Sequence, residues 1–162
     1  MKDKQLVGKY VCLKAMSSLY ARHIGRNGKV TDLGLIANKK VTQAFIEYIV
    51  DSLQDSTTKP MDAFKYHDSG TGVAAESNTD TVLGTPTGIA RATGTQIEGA
   101  AADIFKTVAT ITYNNTFAIT EHGIFSAASA GTLMDRSVFS AINVVDGDKI
   151  EFTYTIEFTP EA

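Results

Sequence analysis

Cysteine is nearly absent from this chain, since Cys12 is the only one among 162 residues. A single cysteine excludes an internal disulfide and any zinc site built from several cysteines. We interpret Cys12 as a buried thiol that behaves as a small apolar side chain rather than as a nucleophile. Long apolar runs are missing too, and none follows the charged start Met1–Gln5. We therefore expect no signal peptide, no membrane span and no export.

The chain has the usual length of one domain and can bury enough surface to fold without a disulfide or metal. Its net charge of −3 is unevenly spread. Residues 1–60 hold ten lysines and arginines against five acids, whereas residues 61–162 hold five against thirteen. The basic third suits an acidic protein surface, or it is a set of separately solvated side chains. The cations are too dispersed for a typical nucleic-acid reader.

The segment Lys149–Phe158 alternates between apolar and polar residues, which is the side-chain period of a strand with one buried face. Its apolar positions are Ile150, Phe152, Tyr154, Ile156 and Phe158. From Ile104 onward, further short strands are separated by turn residues. This pattern predicts a mainly β fold, an antiparallel β-sandwich of jelly-roll type.

One amphipathic α-helix is predicted at about residues 42–54, with Thr42 as its N-cap. Its apolar positions recur at helical spacing, so we expect one face to pack on a sheet. These positions are Phe45, Ile46, Ile49, Val50 and Leu53.

We predict a single domain with two parts. Residues 1–40 hold a first strand, at 6–15, and then a glycine-broken stretch that an extended arm would explain. Residues 41–162 form the sandwich body, with the helix and a long Gly/Thr-rich loop at 68–99. Loops of that length in a compact domain are usually functional contacts.

Motifs for catalysis or cofactor binding are weak. Gly70-Thr71-Gly72 followed by Ala75 fits a dinucleotide fingerprint only superficially, because neither a buried strand before it nor a helix start after it is indicated. No P-loop is present. We predict no cofactor site.

The histidines His23, His67 and His122 are too dispersed along the chain to suggest a metal site. A Ser/His/Asp site stays open, since triads assemble in space, but no GxSxG elbow is present. We interpret Glu121-His122-Gly123 as a strand-to-strand corner in which a side chain bonds to backbone. Asp146-Gly147-Asp148 is interpreted as a hairpin turn rather than a calcium loop. No catalytic or metal residue is assigned.

Two segments carry a resemblance to a known family. One runs from Phe64 to Gly72 (FKYHDSGTG) and continues through Ala75-Glu76 and Asp80-Thr81 to Leu83. The other runs from Ile119 to Phe125 (ITEHGIF) and continues through Gly131-Thr132-Leu133-Met134 and Val138-Phe139 to the final strand. This arrangement, over roughly residues 60–158, resembles small structural proteins of tailed bacteriophages.

The resemblance implies a non-enzymatic virion protein, made in the host bacterial cytoplasm and placed on the capsid surface. Such decoration or cement proteins clamp neighbouring subunits of the major capsid protein, and self-association into a symmetric oligomer would fit that role. No membrane or direct nucleic-acid partner is expected.

Two other classes are open at this point. One is a tail, neck or fibre-associated β-module that binds a receptor or glycan; exposed aromatics would favour it, but tryptophan is absent and most Tyr and Phe fall in core registers. The other is a small hydrolase of the tail machinery, for which no paired-carboxylate or nucleophile motif is found.

Overall fold

The computed structural model describes residues 13–38 and 40–160. They form ten strands in two antiparallel five-stranded sheets, together with one α-helix. In chain order these elements are β1 (Leu13–Ile24), β2 (Val30–Ala37), β3 (Lys40–Val41), α1 (Gln43–Gln54), a 3-10 turn (Met61–Ala63), β4 (Tyr66–Gly70), β5 (Ala92–Thr93), β6 (Thr95–Glu98), β7 (Ile104–Thr112), β8 (Phe117–Phe125), β9 (Leu133–Val144) and β10 (Lys149–Pro160).

The first sheet has the strand order β2-β1-β10-β7-β6 and the second has β3-β9-β8-β4-β5. The predicted mainly β, two-sheet fold is confirmed, and its jelly-roll topology stays a prediction. The inner faces of the two sheets meet in one hydrophobic core.

Strand β10 lies at the centre of the first sheet. It pairs with β1 on one side and with β7 on the other. The predicted inward face is confirmed, since Ile150, Phe152, Tyr154 and Ile156 have no exposed surface. Strict alternation was a reliable signal because each side chain of β10 meets either the core or the outer surface.

The extended arm predicted within residues 1–40 is wrong for the described part of that segment. Residues 13–24 form β1, which pairs with β10 along its whole length, and residues 30–37 form β2 beside it. Gly25 and Gly28 form the turn between the two strands. Pairing with β10 makes β1 a strand although its inward residues Ser17 and Ala21 are small. Cys12 and the predicted strand residues 6–12 lie outside the described residues.

Helix α1 begins where predicted. The Thr42 hydroxyl accepts the Phe45 N–H at 3.1 Å, as an N-cap should, and itself donates to the carbonyl of Leu133 on β9. The helix buries Phe45 and Tyr48. The prediction that all five apolar positions would be buried is wrong. Three of them form a stripe on a neighbouring face of the helix that is exposed to solvent: Ile46, Val50 and Leu53.

The predicted long loop contains the end of β4, then residues 71–91, here named the covering loop, and then the short strands β5 and β6. The covering loop lies over the outer face of the second sheet, where Leu83 packs against Phe125 and Leu133. Among the described residues, no helix has the length and apolarity needed to cross a membrane.

Candidate functional site

A buried carboxylate holds the covering loop on the second sheet. Glu121 lies in the middle of β8 and has no exposed surface. Its Oε1 accepts the backbone N–H of Gly72 at 3.0 Å and of Thr85 at 2.6 Å. Its Oε2 accepts the N–H of Gly84 at 2.9 Å and both Nε and Nη2 of Arg136 at 2.8 Å. Five donors therefore converge on one carboxylate, three from two separate parts of the loop and two from Arg136.

Arg136, on the neighbouring strand β9, extends this arrangement. Its Nη1 lies 3.0 Å from Oδ2 of Asp80, and its Nη2 donates to the carbonyl of Ala74 at 3.2 Å. Asp80 in turn accepts the Ser77 N–H at 2.9 Å. We name the set Glu121, Arg136 and Asp80 the cradle. Asp80 belongs to the loop, and Glu121 and Arg136 hold the loop at points between Gly72 and Thr85.

The glycines of the segment that superficially resembles a dinucleotide fingerprint have a role in the cradle. A Cβ on Gly70 or Gly72 would lie within about 2.5 Å of Oε1 of Glu121. Only glycine lets the backbone come this close to the carboxylate. Because the Gly72 N–H is already bonded to Glu121, this segment offers a phosphate no free donor at that position.

Electrostatics keep Glu121 ionised. Burial by itself raises the pKa of Glu121, but the N–H groups of Thr85 and Gly84 and the guanidinium of Arg136 outweigh it, and the pKa lies below its ordinary value. A carboxylate that is sealed and saturated with donors is suited to fixing backbone rather than to accepting a proton.

Arg91 anchors the last residue of the covering loop. Its Nε lies 3.1 Å from Oδ2 of Asp68, and its guanidinium stacks 3.4 Å above the ring centroid of Phe125. Its Nη1 also donates to the carbonyls of Ala127 and Ala130. Arg91 thus ties the loop to β4, β8 and the turn after β8.

Two of the three histidines, which are far apart along the chain, meet between the sheets. Nδ1 of His67 lies 3.0 Å from Nε2 of His122, and Nε2 of His67 lies 3.1 Å from the hydroxyl of Thr107 on the first sheet. The His122 ring also packs on Phe152 at 4.4 Å between centroids. Burial lowers the pKa of His67 to about 3 and that of His122 well below its ordinary value, so both rings are neutral near pH 7.

Asp135, on β9, is another buried acid and faces the first sheet. It accepts the hydroxyls of Ser17 at 2.7 Å and Ser137 at 2.9 Å. Burial raises the pKa of Asp135 to about 6, although these hydrogen bonds oppose the rise. The Tyr154 hydroxyl is buried close to Asp135 and Ser17, and burial raises its pKa.

The other residues singled out in the sequence make hydrogen bonds within the fold. His23 bonds to Asp148, whose carboxylate also accepts the N–H groups of Arg26 and Val145. The predicted turn at Asp146-Gly147-Asp148 is present, with Gly147 at φ +85°, but the prediction of a hairpin is wrong, because the turn connects β9 of the second sheet to β10 of the first and these two strands do not pair. The Ser69 hydroxyl bonds to Tyr113 at 3.1 Å rather than to a histidine.

The predicted corner at Glu121-His122-Gly123 is wrong, because these residues lie inside β8 and alternate between its two faces. The hydrogen bonds from a side chain to backbone are confirmed for Glu121. Sequence reasoning missed Arg136, Asp80 and Asp135. One available signal was the presence of charged residues within apolar strand runs, which indicates a buried partner.

The buried polar groups offer no access to a substrate, since His67, His122 and Glu121 are all sealed from solvent. In the described part of the chain, no group of three or more His, Cys, Asp or Glu residues is placed to hold a metal ion.

The fold and site define a two-sheet β-sandwich with a long loop fixed to its second sheet by a buried ion-pair cradle. No protein-family model matches the chain, and no curated protein or solved structure does either.

Proposed function

We propose that this chain is a non-enzymatic structural protein of a tailed-bacteriophage virion, a capsid decoration or cement protein that stabilises contacts between major capsid protein subunits. The covering loop is the proposed contact surface. One observation carries the proposal: a loop with two exposed valines and few charges is tied to the sandwich body by a buried ion pair.

The outer side of the loop has few charges. Val73 is 77% exposed and Val82 is 64% exposed. Of the loop's charged side chains, Asp80 and Arg91 are engaged in ion pairs with the sandwich body. Exposed apolar surface that is poor in charge is typical of the centre of a protein–protein interface.

The rigidity of the loop supports the same role. A segment that is already ordered loses little conformational entropy when it binds, so each contact contributes more to affinity. On a symmetric shell, many such contacts act together even when each is weak.

The two segments that carry the phage resemblance also meet in space. Strand β4 pairs with β8 from Tyr66↔Phe125 to Gly70↔Glu121, and Gly72 bonds to Glu121. The shared positions are therefore one connected unit that builds the cradle, which supports interpreting the resemblance as one of fold and loop placement.

Copy number per virus particle tests the proposal. Quantitative mass spectrometry of purified particles would compare this chain with the major capsid protein. A number of the same order supports decoration of the shell. A few copies per particle would contradict it and favour the alternative of a tail, neck or fibre-associated module. Absence from the particle would overturn both.

A further inference from the structure

The outer face of the first sheet carries an open groove of about 750 Å³. Strands β1, β10 and β7 form its floor, and its sides are Asn38, which follows β2, and Gly99–Ala100, which follow β6. Its volume lies in the range of small-molecule sites. From strand spacing, the floor is roughly 10 Å across.

Strand pairing fixes the order of side chains on the floor. One row contains Ser18, Thr155 and Lys106, and the next contains Tyr20 and Thr153. Glu157 lies in the row before them, opposite Met16. The groove thus presents hydroxyls at its centre and an aromatic ring at one end.

Several polar side chains in the groove have no hydrogen-bonding or ionic partner among the described residues. Lys106, Glu157 and Thr153 make no side-chain hydrogen bond or ion pair to any described residue. The Ser18 hydroxyl donates to the amide oxygen of Asn38 at 2.8 Å. The amide nitrogen of Asn38 is therefore left as a donor for a ligand. Donors and acceptors are therefore both available, and the two free charges cancel.

An exposed ring accompanies these groups. Tyr20 is 41% exposed and lines the groove. A tyrosine ring offers a flat apolar face together with a polar edge, which suits a ligand that is itself partly apolar and partly hydroxylated.

The side chains and strands of the groove argue against two classes of ligand. A nucleic acid requires a cationic surface, and Glu157 offsets Lys106. A peptide that binds by strand addition needs an open strand edge, whereas this floor consists of the faces of paired strands.

We propose that this groove binds a neutral oligosaccharide. Sugar hydroxyls both donate and accept, so they match Asn38 and Lys106 as donors and Glu157 as an acceptor. The Tyr20 ring packs against the apolar face of a sugar ring. This site is separate from the covering loop and does not depend on the virion role.

The test is an NMR titration of the isotope-labelled full chain with maltotriose, cellotriose and chitotriose. We expect at least one of them to shift backbone resonances of groove residues at millimolar concentration. Tyr20→Ala and Glu157→Gln should each weaken that binding roughly tenfold. Tyr20→Phe keeps the ring and should retain it.

Ile46→Ala, on the exposed stripe of α1, is the matched control and should leave the affinity unchanged. Absence of groove shifts with all three sugars would overturn the proposal. Shifts outside the groove, or equal affinity of Tyr20→Ala and wild type, would also overturn it. Because the purified chain is used without particles, this outcome is independent of the copy-number result.

Discussion

Glu121 has no exposed surface, and the cost of burying its charge is offset by five hydrogen bonds rather than by one ion pair alone. A charge removed from water needs a full set of partners, because every unmet hydrogen bond in the interior costs free energy. Three of these partners are backbone N–H groups of the covering loop. The residue therefore couples its own burial to the conformation of a distant segment.

Replacing Glu121 with Gln should lower the free energy of unfolding by about 3 kcal/mol or more, because Arg136 keeps only the partly exposed Asp80 as an ionic partner and an amide cannot accept all five hydrogen bonds. Urea unfolding followed by circular dichroism measures this change. Glu98→Gln, at an exposed carboxylate on edge strand β6, is the control and should change stability by less than about 0.5 kcal/mol. Equal stability of the two variants would contradict a structural role for the cradle.

The buried titratable groups between the sheets predict an acid-sensitive fold. His67 and His122 are neutral in the folded state and gain protons near pH 6.5 when unfolded, so their contribution is complete above pH 6.5 and is lost as the pH falls. Asp135 acts in the opposite direction. Its pKa is higher in the folded than in the unfolded state, so its contribution to stability is complete when the pH is below the unfolded pKa. This contribution is lost as the pH rises through about 6.

Two histidines outweigh one aspartate, so we expect the unfolding free energy to decrease between pH 7 and pH 5. Asp135→Asn removes the opposing group. Its stability should therefore fall more steeply than that of the wild type, by about 1.4 kcal/mol per pH unit between roughly pH 4 and pH 6. Urea titrations at a series of pH values measure both slopes. Parallel slopes would show that Asp135 does not titrate as described.

At the scale of elements, helix α1 illustrates how periodicity and burial differ. The helical spacing of apolar residues is real, but contact with the sandwich buries Phe45 and Tyr48 and only partly covers Ile49. Phe45 and Tyr48 both pack on the Phe64 ring, with centroids 5.1 and 4.8 Å away. The remaining apolar stripe stays in solvent.

Phe45→Ala should therefore cost about 3–5 kcal/mol of unfolding free energy, since it empties a packed site. Val50→Ala, on the exposed stripe, should cost less than about 1 kcal/mol. Little buried surface is lost there, and alanine is a better helix former than valine. Chemical denaturation of both variants tests this difference. A large loss in Val50→Ala would mean that the stripe is covered in solution, for example by a second copy.

At the scale of the whole molecule, the outer faces of the two sheets differ. The part of the second sheet under the covering loop is buried on both sides, so that Asp68, Glu121 and Arg136 are buried although they point away from the core. The first sheet leaves its outer face open as the groove. The molecule therefore presents one loop-covered side and one strand-lined side.

If the loop-covered side contacts the shell, substitutions on that side should abolish binding to the shell without changing the stability of the protein. The double variant Val73→Lys and Val82→Lys should unfold within about 0.5 kcal/mol of wild type, since both side chains are exposed. Its binding to particles that lack this chain should be lost, because two charges are desolvated at the contact. Co-sedimentation with such particles measures binding. Val145→Lys, in the turn before β10, is the control and should bind normally.

Much of the architecture was predictable from local pattern. The alternation in β10, the N-cap at Thr42 and the Asp-Gly turn before β10 depend on neighbouring residues, and all three are confirmed. The N-terminal strands were not predictable in the same way. Strand β1 has small and polar inward residues such as Ser17 and Ala21, and it is a strand because β10 supplies its hydrogen bonds.

The sequence by itself determined the mainly β class, the single predicted helix and the position of the long loop, because side-chain periodicity and turn chemistry are local properties. Only the tertiary structure decided what the polar residues do. Glu121 and Arg136 are fifteen positions apart, Asp80 is farther still, and His67 reaches His122 across fifty-five. Strand pairing brings them together, and burial then makes each depend on the others for its hydrogen bonds and its charge state.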